Sequence, residues 1–371
     1  MRLPPPLLLA VALALPLTGC RAHQQYFRGV DRALYEVELE ELSPDVAAEL
    51  ALDTVEATKA RETTEWLTPT RLTSEGLQGR AEWSPDGTRI LFQSVRTAGM
   101  GANPWEQTYL MDSDGSKQRR LSPGIGKTHG AVIVPGSDDF VVAYGSTGHT
   151  GVTPPRETAA VGDSADHEMD LVRQNLSTGA TDNLAQGPGF DGEPHFCDDG
   201  SVFAFASART GDLEVYVQRT GGKPQRVTTR DGADESPRLS PDCSKLLWVR
   251  RVRDGSELVL ANSDGTRSTS LVSSQAAIHT PAFSPDGSDV LFAGDLATPG
   301  GTLDLFAVGT DGAGLRRLTF TPGSERTPRV SPDGTTLLFS GDGEGSPQLY
   351  ASPWAATAGT PWTVDRRDVA P

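Results

Sequence analysis

Ser84-Pro85-Asp86-Gly87, Ser284-Pro285-Asp286-Gly287 and Ser331-Pro332-Asp333-Gly334 are one phrase written three times. Each is followed by a short apolar run: Ile90-Leu91-Phe92, Val290-Leu291-Phe292 and Leu337-Leu338-Phe339. Degraded copies fill the gaps at Ser137-Asp138-Asp139, Cys197-Asp198-Asp199-Gly200 and Ser240-Pro241-Asp242-Cys243. The aligned aspartates, at positions 86, 138, 199, 242, 286 and 333, are separated by steps of 52, 61, 43, 44 and 47 residues. Six strand-rich units with a period near ~45 residues describe a β-propeller, in which no blade covers its own faces and stacking supplies the core. The expected fold is all-β, a six-bladed β-propeller.

A second phrase precedes each aspartate. Arg71-Leu72-Thr73 is followed by Arg120-Leu121-Ser122, Asn183-Leu184-Ala185, Arg226-Val227-Thr228, Ser270-Leu271-Val272 and Arg317-Leu318-Thr319. In the turn itself Pro presets φ, Asp suits the next position, and Gly takes the left-handed position that closes the hairpin. The Arg-Leu-Thr strand comes first in each unit, yet in a blade it belongs on the outside, beside the last strand of the unit before. Arg71-Leu72-Thr73 has no blade before it, and the last unit, ending near Leu349-Tyr350-Ala351, has no such strand after it. The ring is therefore expected to close by the N-terminal strand joining the last blade, which removes an exposed edge. A rival closure uses Pro361-Trp362-Thr363-Val364.

The pattern running from Pro281 to Gly287, followed by an apolar strand, an Asp-Gly turn and Arg-Leu-Thr, resembles the WD40-like (PD40) repeat of TolB-type six-bladed propellers. The resemblance covers about Trp66 to Ala351. It implies the fold strongly and the function weakly. TolB proteins carry an α/β domain before the propeller, and here some 45 residues stand in its place, so the Tol–Pal partnership is not carried over. Related propellers precede the catalytic domain of prolyl-oligopeptidase-like peptidases, and the residues after the sixth blade are expected to be too few for a hydrolase.

The chain starts with Arg2, an apolar run from Leu7 to Leu17, and Leu17-Thr18-Gly19-Cys20. A run this short with such flanks reads as a secretory signal, not a spanning helix. The small residues before Cys20 resemble the bacterial lipobox, which implies lipidation of Cys20 and stable anchoring by several acyl chains. Arg21 is not the Asp associated with inner-membrane retention, so the outer membrane, facing the periplasm, is expected in a Gram-negative cell. The expected organisation is a signal peptide over residues 1–19, an acidic, partly helical tether over 20–65, the propeller over 66–353 and a tail over 354–371. The tether holds eleven carboxylates between Asp31 and Glu65 against Arg32, Lys59 and Arg61. A solvated helix docked on the propeller's side is the other reading of that stretch. The formal charge of −16 becomes −17 once Arg2 leaves with residues 1–19, which argues against nucleic acid as a partner.

Catalytic signatures are missing. There is no Gly-x-Ser-x-Gly, His-Glu-x-x-His, Gly-rich phosphate loop or Cys-x-x-Cys. No cofactor is implied, and Asp112-Ser113-Asp114-Gly115 reads as a hairpin turn, not a calcium loop. Cys197 and Cys243 sit in the turns of neighbouring blades. A disulfide between them and two separate thiols are both open readings. A more informative column lies at the start of each innermost strand: Gly79, His129, Gly192, Glu235, His279 and Arg326. Asp191, Glu193, His195, Asp234, Arg238, Glu325 and Arg329 are close by. Taken singly these are ordinary solvated strand starts. As a set, His129, His195, Glu235, His279 and Arg326 form a candidate ligand mouth of the central channel. Two long insertions, Ser94 to Gln107 and Gly145 to Met169, open on the same face. The expected function is a lipid-anchored envelope propeller that binds an envelope protein or a glycan and catalyses nothing. The alternatives are a propeller enzyme acting on polysaccharide at the mouth, or a purely structural envelope protein.

Overall fold

Each Ser-Pro-Asp-Gly turn joins the two innermost strands of an antiparallel sheet. In a computed structural model the described residues are 68–96, 106–122, 127–145, 169–185, 189–297, 299–355 and 359–361. All of them belong to a unit that begins at Glu65. Cys20, the signal and tether segments, and most of the two long insertions (97–105 and 146–168) lie outside the described residues, as do Trp66 and residues 362–364.

The six inner strands are Leu77–Trp83, Lys127–Ile133, Asp191–Phe196, Asp234–Leu239, Ile278–Phe283 and Glu325–Val330. Each contacts the next in turn, and the sixth contacts the first. From each inner strand the sheet runs outward through three more strands. In the sixth blade the outermost strand is Thr70–Arg71, with Thr70 opposite Ala351 and Arg71 opposite Tyr350. The N-terminal strand thus closes the ring. Part of the expected tail does something else: Thr360–Pro361 adds a fifth strand to the outside of blade five, pairing with Arg316–Arg317.

The apolar runs are continuous, not alternating, because both faces of a blade are covered. Val202–Ser207, the second strand of blade three, is buried at every position. Six apolar clusters fill the seams, each drawn from two adjacent blades. Leu239, Leu246 and Trp248 of blade four meet Val202, Ala204 and Val215 of blade three. Ile90 and Phe92 of blade one meet Leu338 and Leu349 of blade six. Each fully buried Val, Leu, Ile or Phe among them contributes about 1.5–3 kcal/mol, so the ring is held by its seams.

The repeated phrases are structural clamps. Ser84, Ser240, Ser284 and Ser331 each donate to the aspartate two residues on, at 2.5–2.6 Å. Each also accepts the N–H five residues on, at 2.8–3.0 Å. The aspartates are held below the usual carboxylate range, chiefly by these serines. In the outer strands Arg71, Arg226 and Arg317 donate from Nε to the carbonyl of Thr73, Thr228 and Thr319. The threonine hydroxyls in turn accept the N–H of Leu349, Val215 and Leu305, at 2.8–2.9 Å. Cys243 occupies the left-handed turn position at φ 62°, where the other turns place Gly87, Gly287 and Gly334. Cys197 and Cys243 are placed as a disulfide across the seam of blades three and four, with Cα atoms 5.1 Å apart.

Candidate functional site

Every inner strand carries a bulge, in five blades just after the column picked out in the sequence. In blade one it starts at Gln78, so Gly79 sits inside the bulge and the column is one residue off there. Pairing shifts between Gln78 and Ala81, His129 and Ala131, Gly192 and His195, Glu235 and Arg238, His279 and Ala282, and Arg326 and Arg329. The bulged residues Glu193, Ser236, Thr280 and Thr327 have φ of 56°, 54°, 48° and 54°, and Gly130 has 56°. A positive φ is costly for any of these side chains, most of all for the β-branched threonines. In four blades the next residue is proline, which marks a bulge because it cannot donate to the ladder. In blade three the bulge re-aims Glu193 onto Arg80 of blade one and Ser236 of blade four.

Two charged layers result. The upper layer is the mouth. Arg80 of blade one pairs with Glu193 of blade three, past blade two, where Gly130 lies against the Glu193 backbone. Ser236 of blade four donates both its N–H and its hydroxyl to the same carboxylate. Burial opposes charge on Glu193, but Arg80, His129 and the Ser236 N–H outweigh it and hold the carboxyl well below its ordinary range. Beside this bridge, Arg251 pairs with Glu235 and donates to Nδ1 of His279 at 3.0 Å. Burial pushes Glu235 up to about 7, only partly countered by Arg251. Burial, with Arg251 and Arg326 nearby, holds His279 down at about 4. His129 Nδ1 lies 3.4 Å from Glu106 and its ring meets the edge of Phe190. Arg326 is exposed, close enough to His279 to depress its pKa.

The lower layer is a throat nearer the Ser-Pro-Asp-Gly turns. Glu82 of blade one receives Arg238 of blade four at 2.7 Å and Arg329 of blade six at 2.8 Å. His195 belongs here, its Nδ1 accepting the N–H of Leu239 at 3.1 Å. Burial and Arg238 hold it down at about 3.

The structure therefore gathers His129, Glu235, His279 and Arg326 around one mouth and puts His195 in a separate layer. Among the described residues, the one cluster of three metal-type ligands is Cys197, Asp199 and Cys243, whose two sulfurs already bond each other. Sequence reasoning passed over Arg80, Glu82, Glu106 and Arg251. The mid-strand prolines 194, 237, 281 and 328 were the available signal for the bulges. Arg251 comes from the second strand of blade four and Glu106 from the residue before the third strand of blade one, and they left no such mark.

Two grooves lie on the opposite face. One, of about 550 Å³, runs between Pro241, Lys245 and Arg267 of blade four and Phe283, Pro285 and Asp286 of blade five. The other lies between Trp83, Asp86 and Gly87 of blade one and Ser331, Asp333 and Thr336 of blade six. Both occupy the same kind of seam and are lined by the repeated turns, so they follow from blade packing. The channel groups differ from blade to blade, which is why the site is assigned there.

Fold and channel define a propeller of PD40 repeats with a charged, asymmetric axial channel. The TolB beta propeller domain family matches residues 145–294 and 235–367, more than half of the sequence, and the chain belongs to that family. A putative TolB from Agrobacterium tumefaciens superposes with a TM-score of 0.55 at 17% identity, covering 76% of this chain and 91% of that one. TolB from Acinetobacter baumannii gives 0.54 at 17% identity, covering 74% and 65%. In sequence, the chain is similar to an uncharacterised protein of Agrobacterium fabrum, 25% identical over 139 residues (34% of this chain, 47% of that protein). It is also similar to the Tol-Pal system protein TolB of Legionella pneumophila, 34% identical over 73 residues (20% and 17%). The matches span less than half the length of these curated relatives. The family supports a binding or structural module.

Proposed function

We propose that the protein is a lipid-anchored cell-envelope propeller that recognises an envelope protein or glycan at the channel mouth and performs no chemistry on it. The observation that carries this reading is the Arg80–Glu193 bridge with Ser236 and the adjacent Glu235–Arg251–His279 chain. Groups from blades one, three, four and five meet there, and two of them, Glu193 and Ser236, sit on bulges at positive φ that cost backbone energy. Such strain is retained where it orients a site. Pre-paired charges in fixed geometry favour a complementary partner and reject like charge. A relative named for the Tol-Pal system supports an envelope setting, as does the lipobox-like Cys20.

The test is capture from envelope extract with the tagged full chain. Arg80→Ala, Arg251→Ala and Arg326→Ala should each abolish or sharply weaken capture, while Ser288→Ala and Thr335→Ala on the turn face leave it intact. Capture lost only with the turn-face changes would refute the mouth. Anchoring is tested separately: Cys20→Ser should move the protein out of the detergent phase, and unchanged partitioning would refute the lipid anchor.

One observation favours the enzyme reading. Glu235 titrates near neutrality beside a neutral His279, as a general acid would. Release of reducing or unsaturated ends from envelope polysaccharide, abolished by Glu235→Gln, would establish it over recognition.

A further inference from the structure

Arg238 and Arg329 are among the most deeply placed charges in the molecule, with side chains 3% and 6% exposed. Both arginines bond one carboxylate, Glu82. His195, the other titratable group in this layer, is held neutral by burial and by Arg238. From the layer above, Arg80 and Glu193 also act on Arg238, and their opposite charges offset each other. Two guanidiniums against one carboxylate leave the throat one positive charge in excess.

The remaining hydrogen bonds do not absorb it. Arg238 Nε goes to the Pro281 carbonyl, and Arg329 Nη1 to the carbonyls of Thr280, Pro281 and Pro328. Arg329 Nη2 is buried and meets no acceptor among the described residues. Leaving a charged donor unpaired costs more than leaving a neutral one, and a buried charge without a counter-ion is strongly unfavourable. His195, with Nδ1 accepting the Leu239 N–H, has Nε2 as its donor.

We infer that the throat of the channel binds a carboxylate monoanion, seated against Arg329 Nη2 between Arg238 and Arg329. One negative charge balances the layer, and a guanidinium fork matches carboxylate geometry. The carboxylate can be a free ion or an acidic side chain reaching down from a partner at the mouth. Because the throat is a separate layer, this site stands or falls apart from recognition at the mouth.

The test is a titration of the full chain, in detergent and at fixed ionic strength, with 13C-labelled acetate followed by NMR line broadening. Saturable broadening is expected. Arg329→Gln should weaken it about tenfold or more, and Glu82→Gln, which removes the competing carboxylate, should tighten it about tenfold. Opposite signs from two neutralising changes in one layer exclude general damage. If Arg329→Gln does not fold, the wild-type titration and Glu82→Gln still decide. Lys223→Gln, which removes an exposed cation outside both layers, should leave acetate affinity within about twofold. Competition by hexaglutamate would assign the site to a partner's side chain as well, and its absence would assign it to the free ion. No saturable broadening, or equal affinity in wild type, Arg329→Gln and Glu82→Gln, would overturn the inference.

Discussion

On the turn face, Ser84, Ser240, Ser284 and Ser331 each bond an aspartate in their own blade, and the arrangement repeats with little change. On the channel side, Glu193 of blade three depends on Arg80 of blade one and Ser236 of blade four, and Glu82 depends on arginines from blades four and six. The turns satisfy their polar groups within one blade; Glu193 and Glu82 in the channel satisfy theirs across the ring. Repetition thus marks what every blade needs in order to fold. Departure from repetition marks what the assembled ring presents, and the predictions follow from that division.

Closure should show the largest effect, because every cross-ring pair presupposes a closed ring. Removing residues 68–73 takes away the outer strand of blade six and the Thr73 bond to Leu349. Thermal unfolding should fall by about 10 °C or more. Removing residues 359–371 strips the fifth strand from blade five, which keeps its own four, and should cost less. The reverse ranking in calorimetric melts would break the closure argument.

The disulfide is the one place where the turn face couples neighbouring blades covalently. Cys197 and Cys243 are 46 residues apart, so Cys197→Ser with Cys243→Ser should cost about 2–4 kcal/mol in denaturant unfolding. A mass shift of two hydrogens on reduction of the native chain would confirm the bond. Two free thiols in the unreduced chain would contradict it.

Glu325 sharpens the comparison from the channel end of blade six. Burial pushes its carboxyl up to about 7, and Oε2 has no partner among the described residues. With the folded value above the ordinary 4.5, the associated stability is full below about pH 4.5 and is lost as pH rises through about 7. Glu325→Gln should therefore stabilise the protein at pH 8 by about 1–3 kcal/mol and change little at pH 4.5. Equal effects at both pH values would show that the carboxyl titrates normally.

The blade count, the strand order and the closing strand were legible because they depend on turn chemistry and apolar runs that recur every few dozen residues. The mouth was legible only as a column. Glu235, His279 and Arg326 occupy the register that counting gave, but which groups pair depends on bulges that turn residues such as Glu193 toward the axis. His195 was placed with the mouth because it is only three residues from Gly192; the bulge between them drops it into the throat. Arg251 and Glu106 were invisible, since they reach the mouth from outside the inner strands. Pairings across a ring have no sequence spacing to betray them.

The central claim is that recognition happens where the blades differ. Amide hydrogen exchange of the full chain, free and bound to its captured partner, tests it directly. The account predicts slowed exchange at residues 127–130, 191–193, 234–236 and 278–280, around the mouth, with residues 284–288 and 331–336 of the turns unchanged. Protection confined to those turns, with the bulged strands unaffected, would contradict it.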